Sequence, residues 1–193
     1  LTILNTLIEL QRLKRLDRTG WTLRGLPNGT ESVASHSFGV GIAAMLLADR
    51  FRSHGVDLDS EKVLRLALLH DWAEVRVGDM PRTATHYYGA EVRKQAENAA
   101  FNEIISNVGE TREIYKQLHA EYELRESLEA RLVKAADIID LLVQVLALER
   151  AGARGLDEFW EAATTTAFHL DGVELEIVQE LIDELLRART ELK

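Results

Sequence analysis

A histidine–aspartate doublet, His70-Asp71, closes the apolar run Leu64-Arg65-Leu66-Ala67-Leu68-Leu69 and is followed by Trp72-Ala73-Glu74. An imidazole and a carboxylate beside buried leucines cost free energy unless something satisfies them. Two further polar side chains interrupt apolar helical runs. His36 precedes Phe38-Gly39-Val40-Gly41-Ile42-Ala43-Ala44-Met45-Leu46-Leu47, and Asp137 sits inside Leu132-Val133-Lys134-Ala135-Ala136-Asp137-Ile138-Ile139. Two neutral nitrogens and two anionic oxygens form a sensible donor set for one divalent ion of the manganese, iron, cobalt, nickel or zinc kind, with water in open positions. Taken singly, His36 reads as a satisfied core histidine and Asp137 equally well as a buried, hydrogen-bonded aspartate. All four in one short helical chain favour a metal.

Other residues near the doublet could carry the chemistry. Glu74 lies four residues after His70 and three after Asp71, so a continuing helix puts it on the same face one turn on. A carboxylate there could activate water or protonate a leaving group; without the doublet it would read as a solvated helix end. Asp79, in Val77-Gly78-Asp79-Met80-Pro81, is either a turn former or a second carboxylate facing the site. Lys134 precedes Asp137 by one turn and either screens a phosphate or makes a local ion pair, the pair being the simpler reading. Arg18, Arg24 and Arg82 lie in loops, and guanidinium forks match phosphate oxygens. Singly, such arginines are usually solvated charges. His54, His86, His119 and His169 lie in polar or turn-like surroundings and read as surface or incidental.

The elements that must position these groups are helical almost throughout. Periodicity predicts helices at about 2–16, 32–53, 60–73, 88–107, 111–123, 126–151, 155–169 and 173–191. Asp59-Ser60 offers capping oxygens to the helix that ends in the doublet. Residues 17–31 and 77–88 read as irregular, and they hold both prolines, Pro27 and Pro81. A chain of 193 residues suggests one domain. It has no cysteine, so a metal must use His, Asp or Glu. The formal charge of -9 and the lack of a basic stripe argue against a nucleic-acid polymer as partner. No apolar run approaches the ~20 residues that span a bilayer, and no signal peptide is visible, so a cytoplasmic location is expected.

The ordered set His36, His70-Asp71 and Asp137 resembles the HD-domain metal-dependent phosphohydrolases. Glu31-Ser32-Val33-Ala34-Ser35-His36-Ser37, the stretch from His70 to Pro81, and Val133-Lys134-Ala135-Ala136-Asp137 are similar to the 5'-deoxynucleotidase branch. That branch includes YfbR-type enzymes and the HD domain-containing protein 2 group, which Arg18-Thr19-Gly20-Trp21 and Glu121-Tyr122-Glu123 resemble most. The resemblance implies an all-α HD helical bundle and a single domain over 1–193, with a metal-site core at about 10–150 and C-terminal helices at about 155–191. It implies His36, His70, Asp71 and Asp137 as ligands of one divalent ion, cobalt or manganese or another of iron, nickel, zinc and magnesium. It implies catalytic roles for Glu74 and Asp79, and Arg18 near phosphate and sugar. Trp21 would screen the sugar, although Thr19-Gly20 separates it from Arg18 where YfbR-type enzymes have the two adjacent. Arg82 and Lys134 are further phosphate candidates. The expected reaction is hydrolysis of deoxyribonucleoside 5'-monophosphates to deoxynucleoside and phosphate. Another nucleotide or small phosphate ester, or a non-catalytic metal-binding module, are the alternatives. Family members are often homodimers; the 126–151 helix and the C-terminal helices could serve a dimer face or intrachain packing alike.

Overall fold

In the computed structural model, the described residues are 3–192, with the side chain of Arg82 also outside the described set. The elements are α1 (Ile3–Leu10), prolonged by a 3-10 turn at Gln11–Lys14, α2 (Thr19–Thr22), α3 (Val33–Ser53), α4 (Ser60–Leu69), α5 (Glu74–Val77) and α6 (Arg82–Tyr88). They continue with α7 (Ala90–Ile104), α8 (Arg112–Leu124), α9 (Leu128–Arg150), α10 (Asp157–Trp160), α11 (Ala162–Thr165) and α12 (Gly172–Thr190). The fold is all-α, as expected; among the described residues the extended pairing is an isolated bridge between Asp17 and Ser32.

The chain clusters into two compact units, Leu1–Ser37 with Leu69–Ala120, and Phe38–Leu68 with Glu121–Lys193. In the first unit α7 packs on α5 and α6, and α1 meets the turn that follows α7. The Thr6 hydroxyl donates to the Ile104 carbonyl at 3.1 Å, closing that contact. Trp72 and Phe101 stack with ring centres 6.1 Å apart, Trp72 and Tyr115 at 5.7 Å, and Phe101 and His119 at 3.9 Å. His119 is therefore not the surface residue expected. It is 4% exposed, and burial pushes its imidazole down to about 4, so it stays neutral in the core.

The second unit centres on α9, against which α10, α11 and α12 pack. Leu142 and Val145 of α9 and Val178 and Ile182 of α12 are buried there. Ser127 accepts the Ala130 N–H and starts α9 close to its predicted bound. Asp59 likewise accepts the Lys62 N–H at the start of α4. The Arg189 guanidinium sits 4.8 Å above the Trp160 ring and pairs with Glu149 and Asp157.

Four predicted segments differ. The irregular segment 17–31 contains the one-turn helix α2. The irregular segment 77–88 contains α6: Pro81, extended at φ -66 and ψ 149, stands at its N-cap and its carbonyl accepts the Ala84 N–H at 2.9 Å, and Gly89, at φ +86, ends it. The helix expected over 60–73 stops at Leu69 and resumes at Glu74. The helix expected over 155–169 breaks into the one-turn helices α10 and α11, and His169 adopts φ +55 beyond them. The predicted start of the first helix at residue 2 lies outside the described residues.

Candidate metal centre

The centre lies in the first unit and is built by two chain interruptions. Ser32 Oγ accepts the Ser35 N–H and opens α3, placing His36 in its first turns. The entry to α3 is pinned by Arg18 N–H to the Glu31 carbonyl and Val33 N–H to the Leu16 carbonyl, both near 3 Å. The second interruption is the break between α4 and α5. Adjacent residues of an unbroken helix point ~100° apart; ending α4 at Leu69 lets the turn holding His70 and Asp71 aim both inward.

His36 and His70 meet edge to face with ring centres 5.5 Å apart. The Asp71 Oδ2 atom lies 3.1 Å from His70 Nε2 and 3.7 Å from His36 Nε2. One ligand atom from each of the three residues falls within 4.8 Å of the others. Two buried imidazoles and one carboxylate so gathered are a borderline donor set that fits a divalent transition ion. Arg18 Nη1 stands 3.5 Å from the same Asp71 oxygen. Burial opposes ionisation of Asp71, but His70, His36 and Arg18 together outweigh it and hold this carboxyl well below the usual range.

Glu74 is the opposite case. It is 4% exposed, and its Oε2 has no hydrogen-bond partner among the described residues. Burial, reinforced by the charges of Asp71 and Asp79 and only partly offset by Arg18 and Arg93, pushes it up to about 10. Two carboxyls three residues apart are thus held in opposite protonation states, the signature of an acid beside a charged site.

Asp79 is fixed rather than loose. Its Oδ2 accepts the Thr19 N–H at 2.5 Å, and its carbonyl accepts the Thr19 hydroxyl at 2.6 Å. These bonds tie the loop carrying Arg18 to the segment after α5. Trp21, expected at a sugar, is instead 1% exposed, and its indole N–H donates to Glu31 at 2.6 Å. In this structure Trp21 lies buried within the short helix α2, which begins at Thr19. Arg82 opens α6, its side chain lying outside the described set. Asp137 and Lys134 belong to the second unit, on α9, and pair with Nζ 2.6 Å from Oδ2. That is the local ion pair expected.

Sequence reasoning overlooked Arg93, whose charge acts on both Glu74 and Asp71. It also overlooked Thr19 and Glu31 as anchors. Arg93 looks unremarkable in the sequence because Glu97, four residues on, makes it resemble a solvated helix pair.

A helical protein whose His–His–Asp cluster could hold a cation beside a neutral carboxyl is the class that fold and site define. Residues 10–172 match the family model described as HD domain, and the chain belongs to the HD-domain family. It is 33% identical over 179 residues to the Danio rerio protein named 5'-deoxynucleotidase HDDC2, covering 91% of this chain and 84% of that one. It is 32% identical over 166 residues to the Schizosaccharomyces pombe 5'-deoxynucleotidase hdd1, covering 82% and 79%. A conserved hypothetical protein from Pyrococcus furiosus superposes with a TM-score of 0.80 at 34% identity, covering 95% of this chain and 99% of that one.

Proposed function

We propose that the protein is a metal-dependent 5'-deoxynucleotidase, hydrolysing deoxyribonucleoside 5'-monophosphates to deoxynucleoside and phosphate. The observation that carries this reading is the buried, neutral Glu74 beside the charged His36–His70–Asp71 cluster. A scaffold would need the cluster but not a proton donor next to it. The names of the relatives support the substrate class.

His36, His70 and Asp71, with Asp137 as fourth ligand, would hold one divalent ion, with cobalt and manganese the first candidates. When bound, it would act as a Lewis acid on a phosphoryl oxygen. The chain's own groups do the rest. Arg18 compensates charge on the phosphate, and Lys134 and Arg82 are candidates for further phosphate contacts. Water attacks phosphorus and the P–O5' bond breaks. Glu74 gives its proton to the departing O5', and Asp79 accepts a proton from the attacking water. Trp21 serves the substrate indirectly, by holding the loop that presents Arg18.

Residues 1–193 form one domain in this reading. Both compact units are assembled from two separated chain segments, which argues against two domains in sequence. No described helix is long and apolar enough to cross a membrane, and a cytoplasmic location accords with a nucleotide substrate. A homodimer is proposed through the second unit. Phe38, Ile42 and Leu46 stand on one face of α3 and are 70%, 40% and 60% exposed. With Ile139, Val143 and Leu181 they line a groove of about 600 Å³. Arg50, Glu180 and Glu184 also border it, so a two-fold copy could set unlike charges together.

The test is phosphate release from deoxy- and ribonucleoside monophosphates by chelator-stripped protein resupplied singly with cobalt, manganese, magnesium or zinc. Metal-dependent release favouring deoxy substrates is expected. Absence of release with every metal would overturn the reading.

A further inference from the structure

We propose that Thr19 is a positioning residue for the reaction: it clamps Asp79 and so holds the Arg18 guanidinium where it meets the substrate phosphate. The inference rests on the phosphomonoesterase reading above and names a residue that reading does not use. Arg18 stands at the N-cap of α2 and makes no side-chain cap bond there. Its guanidinium reaches instead to Asp71, with Nη1 3.5 Å from Oδ2. Thr19, the next residue, is half-buried and gives both of its donors to one partner. Its N–H donates to Asp79 Oδ2 at 2.5 Å, and its hydroxyl donates to the Asp79 carbonyl at 2.6 Å.

The clamp matters because α2 cannot hold itself. It is a single turn of four residues and contains Gly20. A lone turn fixes several dihedrals for one hydrogen bond, and glycine adds to that cost. Its place must come from tertiary bonds. Arg18 N–H to the Glu31 carbonyl, the Trp21 indole to the Glu31 carboxylate and the Asp17–Ser32 bridge tie it to the segment that enters α3. The Thr19 bonds run instead to a segment 60 residues away in sequence. That segment leaves α5 at Gly78, whose φ of +79 turns the chain and whose N–H donates to the Glu74 carbonyl at 2.8 Å. Thr19 therefore joins the loop that bears Arg18 to the element that bears Glu74. A planar guanidinium bonds phosphate oxygens well only in the right orientation, so loosening the clamp spreads Arg18 over positions that miss the phosphate.

The experiment compares the manganese-loaded wild type with Thr19→Val, Thr19→Ser, Arg18→Ala and the double variant Arg18→Ala with Thr19→Val. It measures inorganic phosphate binding by calorimetry and steady-state hydrolysis of a deoxynucleoside monophosphate, with metal content and melting temperature alongside. Thr19→Val removes the hydroxyl at nearly constant shape. It should weaken phosphate binding about 3- to 10-fold, the range of one hydrogen bond, and raise KM at unchanged metal content. Thr19→Ser keeps the hydroxyl and should bind phosphate like wild type. Added to Arg18→Ala, Thr19→Val should cost less than about twofold more, because the clamp acts through the guanidinium. Phosphate affinity within about twofold of wild type in a folded, metal-loaded Thr19→Val protein overturns the proposal. So does a loss that Thr19→Ser shares, or a loss of equal size with and without Arg18, since either marks a purely structural effect. A wild type that binds no phosphate overturns it as well. A wild type that shows the expected binding pattern but turns over no monophosphate would sink the nucleotidase reading and leave the clamp standing.

Discussion

Glu74 concentrates the residue-scale argument. Its pKa, raised to about 10 by burial and by Asp71 and Asp79, means the folded protein keeps a proton that the unfolded chain, with a value of 4.5, has lost. Between those values the native state binds more protons than the unfolded state, so this group's contribution to stability declines as pH rises. Glu74→Gln removes the ionisable group while keeping the shape. In metal-free protein at pH 8 it should melt higher than wild type by roughly 3 °C, the shift that about 1 kcal/mol produces in a chain of this size. The same substitution should cost about 10²- to 10⁴-fold in kcat, the usual weight of a general acid, with metal content unchanged. Full activity with metal bound would remove Glu74 from the chemistry. His36, His70 and Asp71 were legible as a cluster because polar side chains in apolar runs demand a reason. The opposite charge states of Asp71 and Glu74 were not, since they come from burial and neighbours that only the folded chain brings together.

At the scale of elements, breaks matter as much as helices. The helix halts after Leu69, where periodicity alone suggests continuity over 60–73, and the turn that follows brings Asp71 Oδ2 within 3.1 Å of His70 Nε2. Proline and glycine punctuation hid α6: Pro81 and Gly89 read as loop residues although they are its entry and exit. His119 shows another blind spot. Its neighbours Gln117 and Glu121 made it look like a surface residue, yet Tyr115 and Leu118 lie on the face that α8 buries, and His119 turns with them onto Phe101. Its pKa falls from 6.5 to about 4 through burial. The unfolded chain therefore binds a proton first as pH falls, and stability present above pH 6.5 is lost toward pH 4. His119→Phe keeps a stacked ring without the titration. Its melting temperature should change less between pH 6.5 and 4.5 than that of wild type. Parallel curves would show that His119 does not set the acid limb.

For the whole molecule, the open question is the number of chains. An apolar stripe on α3 is poorly explained by a solvated monomer. Phe38 and Leu46 are 70% and 60% exposed, one turn either side of Ile42, and Val143 of α9 adds a further exposed apolar side chain at 47%. Single exposed leucines need no reason, but a contiguous patch rimmed by charge marks an interaction site. The sequence contained the stripe, yet α3 reads as apolar nearly all round, so the covered positions and the open ones could not be separated by pattern. Burial separates them: Val40, Ala44, Leu47, Ala48 and Phe51 are enclosed, and Phe38, Ile42, Met45 and Leu46 are not. If a second copy covers this face, light scattering should give twice the 21.7 kDa of one chain. Phe38→Asp combined with Leu46→Asp should return the single-chain mass, since two carboxylates would be trapped against apolar surface at the two-fold. Both positions lie outside the metal cluster, so the variant should keep its metal and its fold by circular dichroism. A wild type that runs as one chain at tens of micromolar would assign the stripe to a different partner.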